Sequence, residues 1–206
     1  MKAAKLGEKD FAFSLARPPG HHAGKSFFGG FCYFNNIAFA VKRMQQSNGI
    51  ERVLVLDFDL HHGNGTQNIF YNDESVFYLS LHQSPEFTFP GTGFEKENNS
   101  HVKNVPLQPG TTDEQYLQLL SQSFGKAFES FKPDLVAVSA GFDLFSSEAS
   151  VGNRLAIENH ETFFEIGDLV RKKTALANIP CFAVLEGGYS LRDFPVNLFN
   201  FLNAFD

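Results

Sequence analysis

Val53-Leu-Val-Leu-Asp57-Phe-Asp59-Leu-His61-His62-Gly63-Asn64-Gly65 carries an apolar run of strand type into two carboxylates and two imidazoles. Burying such a cluster without partners is costly, so something compensates it, and a bound cation does so most simply. Asp57, Asp59 and His61 alternate, and on a continuing strand they project from one face. An Asp and a His two residues apart on one face both reach a single divalent ion. Oxygen with imidazole suits zinc, and iron or cobalt after it.

Outward from this stretch, apolar strands alternate with amphipathic helices. Strands are expected at Arg52 to Asp57, Ser75 to Leu81, Leu135 to Ser139 and Cys181 to Leu185. Helices are expected at Asn35 to Gln46, Gly65 to Tyr71, Asp113 to Phe131, Asn159 to Ala177 and Asp193 to Phe205. Arg17 to Phe34 and Ser84 to Gly110 read as loops, the second long enough to suggest function. The alternation predicts an α/β fold, a parallel sheet sandwiched between helices. Reactive groups cluster where three strands end, at Asp57 to Asn64, Ser139 to Asp143 and Glu186 to Tyr189, and ligands bind at such carboxyl edges.

The 206 residues suit one domain spanning 1–206. With 43% hydrophobic and 19% charged residues the chain can bury a sizeable core. The 25 Phe are enough to fill that core and line a ligand site as well. A net charge of -6 without a Lys/Arg run argues against direct nucleic-acid binding and leaves cationic substrates open. No apolar run spans a membrane, and the charged Met1 to Asp10 lacks the apolar core of a signal peptide. Cys32 and Cys181 have neither zinc-finger nor redox spacing, which fits a reducing, cytoplasmic setting.

Asp143 in Ala140-Gly-Phe-Asp143 is the natural third ligand beside Asp59 and His61. An Asp–His–Asp set leaves a position open for water, the mark of a catalytic site. His21 and His22, between stiff prolines and glycines, suit general acid and base work, and Asp57 suits the orientation of one of them. Tyr189, after Glu186-Gly-Gly, suits hydrogen bonding to a developing oxyanion.

Six motifs occur in order: Arg17-Pro-Pro-Gly-His-His-Ala, Gly30-Phe-Cys-Tyr-Phe-Asn-Asn, Asp57-Phe-Asp-Leu-His-His-Gly-Asn-Gly-Thr, Phe89-Pro-Gly-Thr-Gly, Ser139-Ala-Gly-Phe-Asp and Leu185-Glu-Gly-Gly-Tyr. Together they resemble the zinc-dependent histone deacetylase family, which includes acetylpolyamine amidohydrolases and acetoin-utilisation proteins. Asn64 and the Gly-Phe-Asp motif make the chain similar to the class II and prokaryotic branch. The resemblance implies an arginase-like fold and zinc-dependent removal of acyl groups from N-acetylated amines, either acetyl-lysine proteins or acetylpolyamines. It implies zinc on Asp59, His61 and Asp143, with His21 and His22 beside the water, Asp57 on His21, Asn64 behind His22, and Tyr189 on the acetyl carbonyl. Gly30, Phe31 and Phe89 would wall a substrate tunnel. Potassium would take the Asp57 side chain, carbonyls of Asp57, Asp59, His61 and Leu81, and the Ser80 hydroxyl. An arginase-type ureohydrolase fits less well, because two manganese ions need more bridging carboxylates than are placed here.

Two departures set further expectations. Only 16 residues precede Arg17, where the family carries a longer segment, so N-terminal elements are expected to be missing. A homo-oligomer, a complementing chain, or a weakly active metal- or partner-binding module is the alternative this raises. Phe145-Ser-Ser-Glu-Ala-Ser replaces the family's acidic-Pro turn, which implies a changed rim loop and an intact metal site.

Overall fold

Six runs of strand-forming residues pair into one all-parallel sheet: β1 (Phe11–Ser14), β2 (Val53–Asp57), β3 (Val76–Gln83), β4 (Val102–Leu107), β5 (Leu135–Ala140) and β6 (Cys181–Leu185). Among the described residues four helices lie between strands, α1 (Asn36–Asn48), α2 (Asn64–Phe70), α3 (Asp113–Phe131) and α4 (Glu161–Ala177), and α5 (Phe194–Asn203) follows β6. The computed structural model describes residues 11–206, and the charged opening segment 1–10 lies outside the described residues.

The strand order is β1-β6-β5-β2-β3-β4. From β2 the chain moves outward through β3 to β4, then returns to lay β5 on the other side of β2. The order therefore reverses between β2 and β5, and the crevice beyond their carboxyl ends is where such sheets bind ligands. In register, Asp57 on β2 stands between Ser80 on β3 and Ser139 on β5.

Alternation sorts β2 even though every residue of it is buried. Val53 and Val55 pack under α1 with Ile37, Val41 and Met44, while Leu54 and Leu56 pack under α3 and α4 with Leu120, Phe124 and Phe163. Burying one Leu contributes about 1.5–3 kcal/mol, more than the ~1 kcal/mol span of strand propensity. Two-sided cover, and not intrinsic preference, sets the strand. Local signals set the helix ends: the Asn35 side chain accepts from the Ala38 N–H, and Gly49 stops α1 at φ 67°. Among the described residues, no helix is long and apolar enough to cross a membrane.

Two strands correct the sequence reading. The expected loop Ser84 to Gly110 contains β4, and Phe11–Ser14 forms β1. β4 is an edge strand, where Pro106 is tolerated, and its buried Asn104 breaks the apolar pattern. β1 is four residues long and only half-covered, too short to show a period.

Candidate active site

Beyond the sheet crevice the chain from β2 folds back over its own carboxylates. Asp57, fully buried, accepts from the Tyr78 hydroxyl (2.9 Å) and the His21 Nδ1–H (3.1 Å) on Oδ2, and from the Asp59 N–H (3.2 Å) on Oδ1. Asp59 Oδ1 accepts from the His61 N–H (2.9 Å) and Oδ2 from the Gly187 N–H (2.7 Å). A Cβ at position 187 would collide with the carboxylates of both Asp59 and Asp143, so only glycine lets the backbone donate there.

Asp59, His61 and Asp143 offer ligand atoms that all lie within 4.8 Å of one another. His61 Nε2–H donates to the Val151 carbonyl at 3.1 Å, which turns the Nδ1 lone pair inward. That lone pair faces Asp59 Oδ1 at 3.3 Å and Asp143 Oδ2 at 3.2 Å. Asp143 Oδ1 accepts from the Leu60 N–H, but among the described residues the buried Oδ2 receives no directed hydrogen bond. Acceptors converge here with no donor between them, so the cluster must take up a proton at Nδ1 or hold a cation. Burial disfavours charge on His61, yet the carboxylates of Asp143 and Asp59 facing Nδ1 favour a proton there and push its pKa up to about 10. Burial and then the charge of Asp59 raise Asp143 to about 6. Both shifts express a demand for positive charge, and the O, N, O donor set fits zinc.

The two histidines are held differently. His22 Nδ1–H donates to Asn64 Oδ1 (2.8 Å), leaving Nε2 as a lone pair, and burial followed by the neighbouring His21 lowers its pKa well below the ordinary value. His21 lies against Asp57 and, at 3.7 Å, Asp59; these charges overcome burial and raise its pKa well above the ordinary value. Their loop is fastened from across the sheet. Glu186 Oε2 accepts from the Gly20 N–H (2.7 Å) and the His21 N–H (3.1 Å), and Oε1 from the Ser139 hydroxyl (2.9 Å). Arg17 donates to the carbonyls of Glu186 (2.7 Å) and Gly188 (2.6 Å).

A cavity of about 340 Å³ opens above this base, lined by His21, His22, Gly30, Phe31, Phe89 and Tyr189 among others. The Phe89 ring stands edge-on to His22 at 4.9 Å, and Phe31 to Tyr189 at 5.9 Å. Gly30 has φ 52°, and a Cβ there would strike the His22 ring and Phe89. Ser80 and Leu81 lie on the neighbouring strand rather than in the cavity. Ser80 donates to His82 Nδ1 (2.8 Å), and among the described residues no donor is directed at the carbonyls of Asp59 and His61.

The structure thus gathers every sequence-selected residue of the cleft into one place. Four contributors carried no assigned role at the sequence level: Arg17, Tyr78, Glu186 and the Val151 carbonyl. Arg17 and Glu186 stand inside the quoted motifs, so a signal existed. Tyr78 sits mid-strand two residues before Ser80, and a backbone carbonyl leaves no trace in side-chain identity.

Comparison with known proteins agrees with this geometry. The histone deacetylase domain matches residues 1–205. A probable deacetylase of Methanothermobacter thermautotrophicus is 43% identical over 195 residues, covering 92% of this chain and 57% of that protein. The acetylpolyamine amidohydrolase of Mycoplana ramosa is 36% identical over 94% of this chain and 56% of its own length. The solved acetylpolyamine aminohydrolase of Burkholderia pseudomallei superposes with a TM-score of 0.88 at 31% identity, over 99% of this chain and 58% of that one. This chain therefore spans a little over half the length of these relatives. Its parallel sheet between helix layers is the arginase-like α/β fold of the structural neighbours. By motif order, fold and profile, the chain belongs to the histone deacetylase domain family.

Proposed function

We propose that this chain is a zinc-dependent deacetylase that hydrolyses the amide of an N-acetylated amine, an acetyl-lysine side chain or an acetylpolyamine. The observation that carries the reading is the convergence of acceptors from Asp59, His61 and Asp143 at the base of a cavity walled by Phe31 and Phe89. Zinc bound there would acidify water and polarise the amide carbonyl. The chain's own residues supply the rest. Phe31 and Phe89 guide an extended methylene chain inward, and Gly30 keeps the passage open. His22 takes the proton of the attacking water at Nε2, because Asn64 occupies its other nitrogen. His21, held by Asp57, places positive charge beside the developing oxyanion. The Tyr189 hydroxyl donates to that oxyanion, and the imidazolium of His22 returns its proton to the departing amine. Potassium on Asp57, Ser80 and the carbonyls of Asp57, Asp59, His61 and Leu81 would stiffen the turn, which the undonated carbonyls of Asp59 and His61 support. The two free buried cysteines fit a cytoplasmic setting.

A test is acetate release from an acetyl-lysine peptide and from acetylated polyamines by zinc-loaded protein, with and without a chelator. Chelator-sensitive turnover on either class is expected, and the preferred class names the substrate. Absence of turnover on both removes the reading.

One observation favours the alternative, a metal-binding module completed by another copy or chain. A largely apolar groove of about 860 Å³ runs beside α1, lined by Tyr33, Phe34, Phe39 and Ile69, with Phe34 and Phe39 highly exposed. A fully active monomer in light scattering would eliminate it.

A further inference from the structure

The segment after Asp143 holds a buried carboxylate that the reaction above does not use. Glu148 is 2% exposed. Its Oε1 accepts from the Tyr189 N–H at 2.6 Å and the Ser190 N–H at 2.7 Å. N–H bonds to a carboxylate are about twice as strong as neutral ones. The residues that follow, Ala149–Val151, form a single 3-10 turn. The Val151 carbonyl at its end accepts from His61 Nε2–H, and Ser150 and Val151 face the cavity. One short turn thus touches the peptide of Tyr189 on one side and the imidazole of His61 on the other.

The Tyr189 loop needs such a tether. Glu186-Gly-Gly-Tyr contains two adjacent glycines, and Gly188 sits at φ 115°. Gly-Gly explores many backbone states unless it is held. Arg17 grips the carbonyls of Glu186 and Gly188, upstream of the tyrosine. Glu148 grips the amides of Tyr189 and Ser190 themselves. A cation on the carbonyls and an anion on the amides fix the two ends of the glycine hinge.

We propose that Glu148 is a positioning residue that holds the Tyr189 backbone so that its hydroxyl points at the cavity base. The catalytic part of this inference rests on the hydrolytic role proposed for Tyr189; the structural part does not. The test combines amide hydrogen exchange with a double-mutant cycle on Glu148→Ala, Glu148→Gln, Tyr189→Phe and the two combinations. In Glu148→Ala, exchange at Tyr189 and Ser190 is expected to rise about tenfold or more, as two charge-assisted bonds are lost, with β2 and β5 amides unchanged. Glu148→Gln keeps an acceptor oxygen without the charge and is expected to raise exchange at the same two amides by a smaller factor, about threefold. It also carries the test if the alanine variant does not fold. In turnover, Glu148→Ala is expected to lower kcat about tenfold with KM nearly constant, and to add less than about twofold in the Tyr189→Phe background. Unchanged exchange at Tyr189 and Ser190 overturns the tether. A full, multiplicative loss in the Tyr189→Phe background overturns action through the tyrosine. If the wild type turns over no acetylated amine, the hydrolytic reading fails while the exchange data still decide the tether.

Discussion

Replacing Tyr78 with Phe removes one oxygen from the buried floor of the site and leaves the ring in place. The Tyr78 hydroxyl donates to Asp57 Oδ2 at 2.9 Å and lies 3.2 Å from the Gly63 carbonyl. The ring is fully buried in the α1-side core beside Val53 and Val76, so no cavity larger than the lost atom forms. A hydrogen bond to a charged group contributes about 1.5–3 kcal/mol. Asp57 keeps the His21 Nδ1–H and the Asp59 N–H, which places the expected loss at the lower end, ~1.5–2 kcal/mol. For a chain of this size each kcal/mol shifts Tm by about 2–4 °C, so a fall of ~3–8 °C is expected. Tyr116 supplies the control. Its hydroxyl is equally buried but has no hydrogen-bond partner among the described residues. Deleting it by Tyr116→Phe removes an unsatisfied polar group, and Tm is expected to hold or rise. The assay is thermal melting of both variants beside the wild type. Equal shifts of the same sign in the two variants would refute the assignment of the Tyr78 effect to its bond with Asp57.

Three other outcomes are expected. Tyr189→Phe lowers kcat about 10²–10³-fold with little change in KM, as loss of an oxyanion donor does, measured by acetate release. Asp143→Asn weakens zinc binding by more than the roughly 10–100-fold that loss of an outer hydrogen bond costs, read by competition with a chromophoric chelator. The third concerns acid stability. Burial works against ionisation of Asp73, but hydrogen bonds from Lys42 and Ser75 outweigh it and hold the carboxyl below its ordinary value. A depressed carboxyl stabilises the fold above the unfolded value of about 3.9 and loses that contribution as pH falls through its folded value. Asp73→Asn is therefore expected to be less stable than the wild type at neutral pH and to converge with it in urea titrations once the pH has fallen through the depressed folded value of Asp73.

How far the sequence went depended on what each residue contacts. Asp57, Asp59, His61 and Asp143 were legible because carboxylates and an imidazole at the ends of apolar strands have few cheap explanations. The central strands were legible because both faces are covered and their residues are apolar throughout. β4 was not, since Asn104 is buried there in a side-chain network with Gln67, and Pro106 reads as a break until the strand is known to lie at an edge. Glu186 was visible as part of a motif, but its task was not. It braces the backbone of Gly20 and His21, and a bond between a side chain and a main chain 166 residues away has no periodicity to betray it. Glu148 was hidden for the same reason, inside a segment that reads as variable rim.

The reversal of strand order between β2 and β5 has a consequence for assembly. The proposed metal donors lie just past the ends of two strands that neighbour each other in space but are separated along the chain by α2, β3, β4 and α3. Leu60 and Asp143, bonded across that gap, stand 83 residues apart. No stretch of the chain shorter than this holds the donor set, so a growing or unfolded polypeptide has no such site to load. On the proposed reading zinc would then act as a seal on the finished sheet: it would bind the folded form only, and its stabilisation would grow with the logarithm of free metal. Metal supply would set how long the chain stays folded as well as whether it turns over.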